Sequence, residues 1–300
     1  MRTRRKHKKV NNKKVILISF FTIALLIGLS FIGVKSYGYF TTPKAYAPKV
    51  EKIIKAADKQ VDKPNEAKKD TVGVSFQDGN ELESTESIKI TETGKLPERT
   101  PSKEKVAYLT FDDGPTSNVT PVVLDVLKKY NTKATFFVLG KMVEKHPDVL
   151  KQTFNEGHLI ANHSYSHDYK YIYSTPDNFI SDMKKSELLI QNTLGITDKI
   201  NVIRFPGGSF PKRLEKYRAV AAKNSYYYID WNCLNGDAQG GKKTEDKLVQ
   251  EVINTSKGKN EIVILMHDAS TKISTANSLG KVIEYLKSEG YRFDTLNNYY

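Results

Sequence analysis

Along the chain the spacing of apolar residues changes twice. Residues 15–34, VILISFFTIALLIGLSFIGV, form a charge-free run of twenty, and residues 35–103 then turn to Lys, Glu, Thr and Ser with few large apolar side chains. From about residue 104, short apolar runs alternate with amphipathic stretches. Runs of strand length, rich in β-branched and aromatic residues, fall at 106–112, 134–139 (ATFFVL), 158–162 (HLIAN), 201–205 (NVIRF), 226–232 (YYYIDWN), 261–267 (EIVILMH) and 291–296 (YRFDTL). Between them, 119–130, 177–194, 212–224, 244–257 and 276–289 carry helical spacing. Strand and helix in turn predict an α/β domain of parallel strands joined by crossover helices, built as an open sheet or as a barrel. No sequence repeat underlies the alternation.

Charge changes the picture at the N-terminus. Residues 1–14 hold eight Lys/Arg and no acid, so without them the formal net charge falls from +13 to +5. A tail of this kind suits a nucleic-acid arm, but it runs directly into an apolar stretch long enough to span a bilayer as a helix, which argues against a nucleic-acid partner. A basic flank on the N-terminal side keeps that end in the cytoplasm and sends the rest outside. The expected organisation is a cytoplasmic tail (1–14), a single transmembrane helix in the cell membrane (15–34), an extracellular stalk (35–103) and a folded extracellular domain (104–300). A cleaved signal peptide is the competing reading, with Ala45-Tyr46-Ala47 as the small-residue site. The apolar run exceeds the roughly 7–15 residues of a signal core, and that site lies well beyond it. The stalk composition suits a flexible segment, with KKDTVGVSF and ESIKITETG as the alternative of a short hairpin. The one cysteine, Cys233, excludes an intrachain disulfide, so the domain depends on its core, for which 300 residues at 39% hydrophobic suffice.

Polar residues collect where the expected strands end. Asp112 and Asp113 close the first, in YLTFDDGPTSN; His163 and His167 follow the third, in ANHSYSH; Arg204 ends the fourth, in RFPGGS. Asp230 and Asp237 flank the end of the fifth run, in IDWNCLNGDA, and His267 and Asp268 end the sixth, in ILMHD. In a parallel barrel these loops meet at one mouth. Neighbouring strand-end carboxylates point in different directions, so one can bind a cation while the other stays free as a base. The plain alternative is an Asp-Asp-Gly turn capping the next helix. His163 and His167 at i, i+4 have a common metal spacing, which is also found for two solvent-facing loop histidines. Two His and one Asp leave coordination positions open, as in catalytic rather than structural zinc sites.

TFDDGP, HSYSH, RFPGG and ILMHD, in this order from residue 110 to 268, closely resemble the motif series of the polysaccharide deacetylases (carbohydrate esterase family 4, the NodB homology domain). The resemblance covers residues 104–300 and implies an irregular (β/α) barrel of about seven parallel strands. The expected anchor and stalk resemble those of membrane-bound peptidoglycan N-acetylglucosamine deacetylases. By motif position, Asp113, His163 and His167 are implied as ligands of a divalent metal, zinc with cobalt as the alternative. Asp112 is implied as catalytic base, Arg204 as the residue that orients it and keeps its pKa low, and His267 as general acid. Leu265 is implied in the pocket for the acetyl methyl group. The bland readings are a structural ion pair for Arg204 and strand core for Leu265.

The implied activity is metal-dependent hydrolysis of the acetamide on N-acetylglucosamine units of a polysaccharide, peptidoglycan first. Chitin oligomers, an exopolysaccharide or O-acetylated xylan are the other substrates, and an inactive glycan-binding domain is the non-enzymatic alternative. Two departures stand out. The third motif reads Arg204-Phe205-Pro206-Gly207 where the family usually has Arg-x-Pro-Tyr, so Gly207 still offers its N–H to an oxyanion but brings no tyrosine to the cleft. The usual Asp-x-x-x-Trp of the fourth motif is not present in that form. The segment around Asp230-Trp231 and Asp237-Ala238 takes its place, leaving the partner of His267 open between Asp230 and Asp237. Tyr165, Phe205 and Trp231 suit sugar stacking and core packing equally.

Overall fold

The computed structural model describes residues 99–300. The basic tail, the apolar run at 15–34 and nearly all of the expected stalk, including its alternative hairpin, lie outside them. Among the described residues no helix is long and apolar enough to cross a membrane.

In chain order the elements are β1 (Val106–Asp112), α1 (Thr120–Lys129), β2 (Thr135–Val138), α2 (Gly140–Lys145), α3 (Pro147–Asn155), β3 (Leu159–Asn162), α4 (Tyr169–Ile172) and α5 (Pro176–Leu194). There follow β4 (Val202–Ile203), a 3-10 turn (Lys212–Leu214) leading into α6 (Glu215–Lys223), β5 (Tyr227–Tyr228), β6 (Cys233–Leu234), α7 (Glu245–Ser256), β7 (Glu261–His267), α8 (Ile273–Ser288) and β8 (Arg292–Asp294). The strands lie in the order β5-β4-β3-β2-β1-β7-β6, and all pairings are parallel. β8 is added beside the first half of β1, at Val106–Tyr108, where β2 has not yet begun.

The expected α/β architecture with parallel strands is present as a curled half-barrel of seven strands plus β8. Its two edge strands are not hydrogen-bonded to each other. Residues 229–232 carry the chain across that opening: Ile229 N donates to Ile203 O on one side and Asn232 N to Val263 O on the other. The run YYYIDWN is therefore a two-residue strand followed by a crossing segment, not the single strand its apolar pattern predicts.

Alternation along β1 and β7 feeds two of the three hydrophobic cores and places the chemistry on the inward face. β1 is buried at all seven positions, as a strand covered on both faces must be. Ala107, Leu109 and Phe111 pack outward against Val123, Leu124 and Leu127 of α1 and Leu279, Val282, Ile283 and Leu286 of α8. Val106 and Tyr108 face inward, with Phe137, Ala161, Val202, Ile229, Val263 and Leu296. Thr110 and Asp112 continue this inward row toward the C-terminal mouth. β7 repeats the pattern, with Ile262, Ile264 and Met266 outward and Val263 inward, so Leu265 and His267 share the inward face. A register that pairs Asp112 with His267 sets the two side by side.

Candidate active site

At the end of β1 the backbone changes hand. Asp113 has φ 77°, in the left-handed region that Asp tolerates better than most residues. This turns its carboxylate away from the inward row that holds Asp112. The next residue must be glycine, because a Cβ on Gly114 would stand 2.2 Å from Oδ2 of the buried Asp268.

Arg204 follows β4 and is fully buried. Its Nη1 donates to Asp112 Oδ1 at 2.8 Å and to Thr110 Oγ1 at 2.7 Å, its Nε to Ile229 O at 3.0 Å, and its Nη2 to Asp230 O at 3.3 Å. The guanidinium also lies 4.0 Å over the Phe137 ring. A cation this deep persists only with such complete pairing. Asp112 Oδ1 is thereby fixed, while Oδ2 turns toward His163 Nε2 at 3.7 Å.

The HSYSH loop hangs between β3 and α4 on a set of side-chain to backbone bonds. Asn162 Oδ1 accepts from Ser164 N (2.9 Å), Ser164 Oγ from His167 N (3.1 Å), and Asp182 Oδ2 from Tyr165 N (2.8 Å) and Ser166 N (3.1 Å). His163 Nδ1 meets the carbonyl of Arg204 at 2.9 Å. A carbonyl accepts only from N–H, so the proton sits on Nδ1 and the Nε2 lone pair is free.

Asp113 Oδ1 lies 3.6 Å from His167 Nε2 and 3.9 Å from His163 Nε2, and one ligand atom from each residue falls within 4.8 Å of the others. Ligands bonded at about 2 Å to a tetrahedral ion stand roughly 3.3 Å apart, so little movement closes the set around a cation. Asp113 Oδ1 is also buried without a hydrogen-bond partner among the described residues, a costly state that a bound cation relieves. Two imidazoles and one carboxylate fit a divalent ion with open positions.

On the other side of Asp112, His267 Nδ1 is bonded to Asp237 Oδ1 at 2.7 Å, and His267 N donates to Asp237 Oδ2 at 2.9 Å. Thr275 Oγ1 donates to the same Oδ2 at 2.8 Å. Pairing of β6 with β7 (Leu234 opposite Leu265) carries the following loop up to the level of His267, which is why Asp237 arrives there. Asp230 instead accepts from Ser209 N (2.8 Å) and Oγ (2.5 Å), so Asp237 is the aspartate that partners His267.

Burial and pairing set the protonation states. Burial raises the Asp112 pKa and outweighs the opposing pull of Arg204 and His267. The expectation that Arg204 keeps this pKa low is therefore corrected: the cost of charging a fully enclosed carboxylate exceeds the guanidinium's attraction. Burial pushes His163 down to about 3 against the pull of Asp113, keeping it neutral as a ligand must be. Burial would also lower His267, but the hydrogen bond and charge of Asp237, with Asp112 and Asp113, raise it to about 9. Asp237 is held below its ordinary value: burial acts upward and the His267 bond overcomes it.

The structure thus brings together Asp112, Asp113, His163, His167, Arg204, His267 and Asp237. Leu265 lies beside Thr110 and is half-buried. Gly207 is exposed at the mouth. Of the aromatics, Phe205 is fully buried in the core with Phe179 and Tyr217, so its stacking reading is corrected. Tyr165 is tied to Glu144 through its hydroxyl, while half-buried Trp231 meets Phe210 edge-on at 5.3 Å. Asn162 and Ser164, inside ANHSYSH, shape the loop but are not among the expected site residues; Asp182, which also shapes it, lies outside every motif, and its only hint is an acid at a buried helical position of α5.

A curled parallel half-barrel with three carboxylates, three imidazoles and a buried arginine at its mouth defines a hydrolase-type centre. The family model described as polysaccharide deacetylase matches residues 99–229. A peptidoglycan-N-acetylglucosamine deacetylase of Bacillus cereus is 33% identical over 215 residues, covering 70% of this chain and 77% of the relative. Among solved structures, the catalytic domain of the Eubacterium rectale peptidoglycan N-acetylglucosamine deacetylase aligns with TM-score 0.59 at 31% identity, covering 67% of this chain and 93% of that one. A Streptococcus mutans CE4 esterase aligns with TM-score 0.61 at 33% identity, over 64% and 86% of the two chains. The chain belongs to the polysaccharide deacetylase family.

Proposed function

We propose that this chain hydrolyses the N-acetyl group of N-acetylglucosamine units in peptidoglycan, releasing acetate and leaving a free amine, and that it does so with a divalent metal, zinc before cobalt. The observation that carries this reading is the pairing of Asp112 with His267 across β1 and β7, beside the Asp113–His163–His167 set. The relatives' substrate supports the choice of polymer.

Asp113, His163 and His167 would hold the ion, which supplies Lewis acidity toward water and the acetyl carbonyl. Asp112, oriented by Arg204 through Oδ1 and raised in pKa by burial, takes the proton from water as its oxygen bonds to the acetyl carbon. The negative charge that develops on the carbonyl oxygen is met by the Gly207 N–H. His267, protonated at neutral pH through Asp237, delivers its proton to the amide nitrogen as the C–N bond breaks. Leu265 lines the pocket for the methyl group, and Trp231 and Asp230 border the substrate cleft.

In the cell, residues 15–34 anchor the protein as a single span and residues 35–103 hold the catalytic domain outside. The support is the charge-free run behind a basic tail. Association with membranes that survives a salt wash, and release of a domain by external protease, test this arrangement; a mature N-terminus following Ala47 would replace it with secretion.

Acetate release by the zinc-loaded protein, compared across peptidoglycan, chitin oligomers and O-acetylated xylan, tests the activity. Peptidoglycan is expected to give the highest kcat/KM. Turnover of xylan alone would move the reaction to an ester, and no acetate from any polymer would leave a glycan-binding domain.

A further inference from the structure

Two exposed aromatic rings rest on one glycine pair at the mouth. A Cβ on Gly207 would stand 2.8 Å from the Tyr169 ring, and a Cβ on Gly208 would stand 2.8 Å from the Phe210 ring and 3.0 Å from Trp231. Both glycines have positive φ, 78° and 83°. Absence of side chains at these two residues lets the rings lie against the backbone, with 47% of Tyr169 and 60% of Phe210 left in solvent. Exposure alone is ordinary for single apolar residues; these two differ from the other exposed ones in flanking one glycine pair at the mouth of the candidate site.

Both rings are held in place and tied to the reaction centre. Tyr169 meets His167 edge-on, 5.2 Å between centroids at 90°. Phe210 meets Trp231 edge-on at 5.3 Å, and the Trp231 ring lies 5.7 Å from the Arg204 guanidinium carbon. Gly207, whose N–H faces the reacting carbonyl in the proposed mechanism, lies beneath Tyr169.

We infer that Tyr169 and Phe210 form the aromatic walls of a subsite that holds a sugar ring of the glycan strand next to the acetylated unit. The inference rests on the proposed polysaccharide substrate and adds where the polymer is gripped. Pyranose rings carry C–H faces that shed water against an aromatic plane while their hydroxyls stay solvated at the rim, which matches two half-exposed rings beside a polar centre. Continuity with that centre selects a glycan over a protein partner, because a strand presenting one unit to Asp112 and His267 must lay its neighbours across this rim. Tyr169 takes up the wall that a side chain at residue 207 would otherwise supply.

Binding of an N-acetylglucosamine tetramer to the full chain, by titration calorimetry with and without zinc, is the test, alongside KM and kcat for its deacetylation. Tyr169→Ala and Phe210→Ala should each weaken Kd and raise KM about tenfold, consistent with loss of some 50 Å² of apolar contact. Kcat should move far less than KM, and zinc content should stay stoichiometric. Tyr169→Phe and Phe210→Trp should bind within about twofold of the starting protein. Unaltered tetramer affinity in the double alanine variant, failure of the starting protein to bind tetramer, loss of zinc in parallel with affinity, or a Tyr169→Phe variant as weak as Tyr169→Ala would each overturn the inference. Tetramer binding that depends on both rings in a protein that releases no acetate would uphold the subsite and reject the deacetylase reading, which separates the two.

Discussion

Replacing Asp237 by Asn leaves the shape of the His267 pocket but removes the charge that holds the imidazole proton. His267 is raised to about 9, with burial pulling it down and the Asp237 hydrogen bond and charge pulling it up harder. Without that charge, burial is opposed only by the weaker pull of Asp112 and Asp113, so the imidazole is expected to fall toward its ordinary value of about 6.5. A group at 9 is roughly 90% protonated at pH 8, and one at 6.5 about 3%, so acid catalysis should drop about 30-fold at pH 8 and less than twofold at pH 6. The difference between about 9 and about 6.5 corresponds to roughly 3 kcal/mol. Linkage gives the sign for stability: a raised imidazole stabilises the fold fully below about 6.5 and loses that contribution as pH rises through about 9. Acetate release from an N-acetylglucosamine oligomer between pH 5 and 10, with the His267 ring followed by NMR, measures both ends. A uniform loss at every pH, with the alkaline limb unmoved, would refute the reasoning and leave Asp237 as a purely steric support.

Other expectations follow from the same geometry. Chelation should abolish turnover while the fold survives on its core, and Asp112→Asn should keep stoichiometric zinc without activity, whereas Asp113→Asn should lose zinc; equal zinc loss in both would show a shared ligand role. His267→Ala should lose about 10² to 10⁴-fold on an N-acetyl substrate and much less on 4-nitrophenyl acetate, whose leaving group hardly needs a proton, with zinc content as the control. Asp182→Ala strands the N–H groups of Tyr165 and Ser166 in the His163–His167 loop. It should weaken zinc binding about 10 to 100-fold, measured by competition with a chromogenic chelator, and wild-type affinity would show that the loop holds its shape without that carboxylate.

The two long strands, β1 and β7, were legible to the residue because each is a seven-residue run buried over nearly its whole length. The stretch between β2 and β3 carries no readable helix: GKMVEKHPDVLKQTFN is broken by His146 and Pro147 into helices of six and nine residues, too short for a period to show. YYYIDWN misled because apolar residues that bridge the sheet's opening look like strand core. The motif residues were legible as a convergent set once strand ends were aligned. The choice between Asp230 and Asp237 was not, since it depends on the β6–β7 register, and Asp182 was not, since a helix brings it under the loop. Tyr169 and Phe210 lacked any signal because their role comes from two neighbouring glycines and not from their own spacing.

The site is encoded in two instalments. Asp113, His163 and His167 are all synthesised by residue 167, in the segments that follow β1 and β3, the two strands on either side of β2. Arg204 comes later and His267 last among them, yet Asp112 and His267 lie opposite each other on adjacent strands. Contacts between residues so distant in sequence close late in folding. An incomplete chain therefore has the means to capture a cation before it has an acid to use with it, and it exposes the free edge of β1, a template for unwanted pairing, until β7 arrives. Under the proposed function, cation binding would therefore say little about whether the domain is finished, whereas acetate release would require β7 to be in place beside β1.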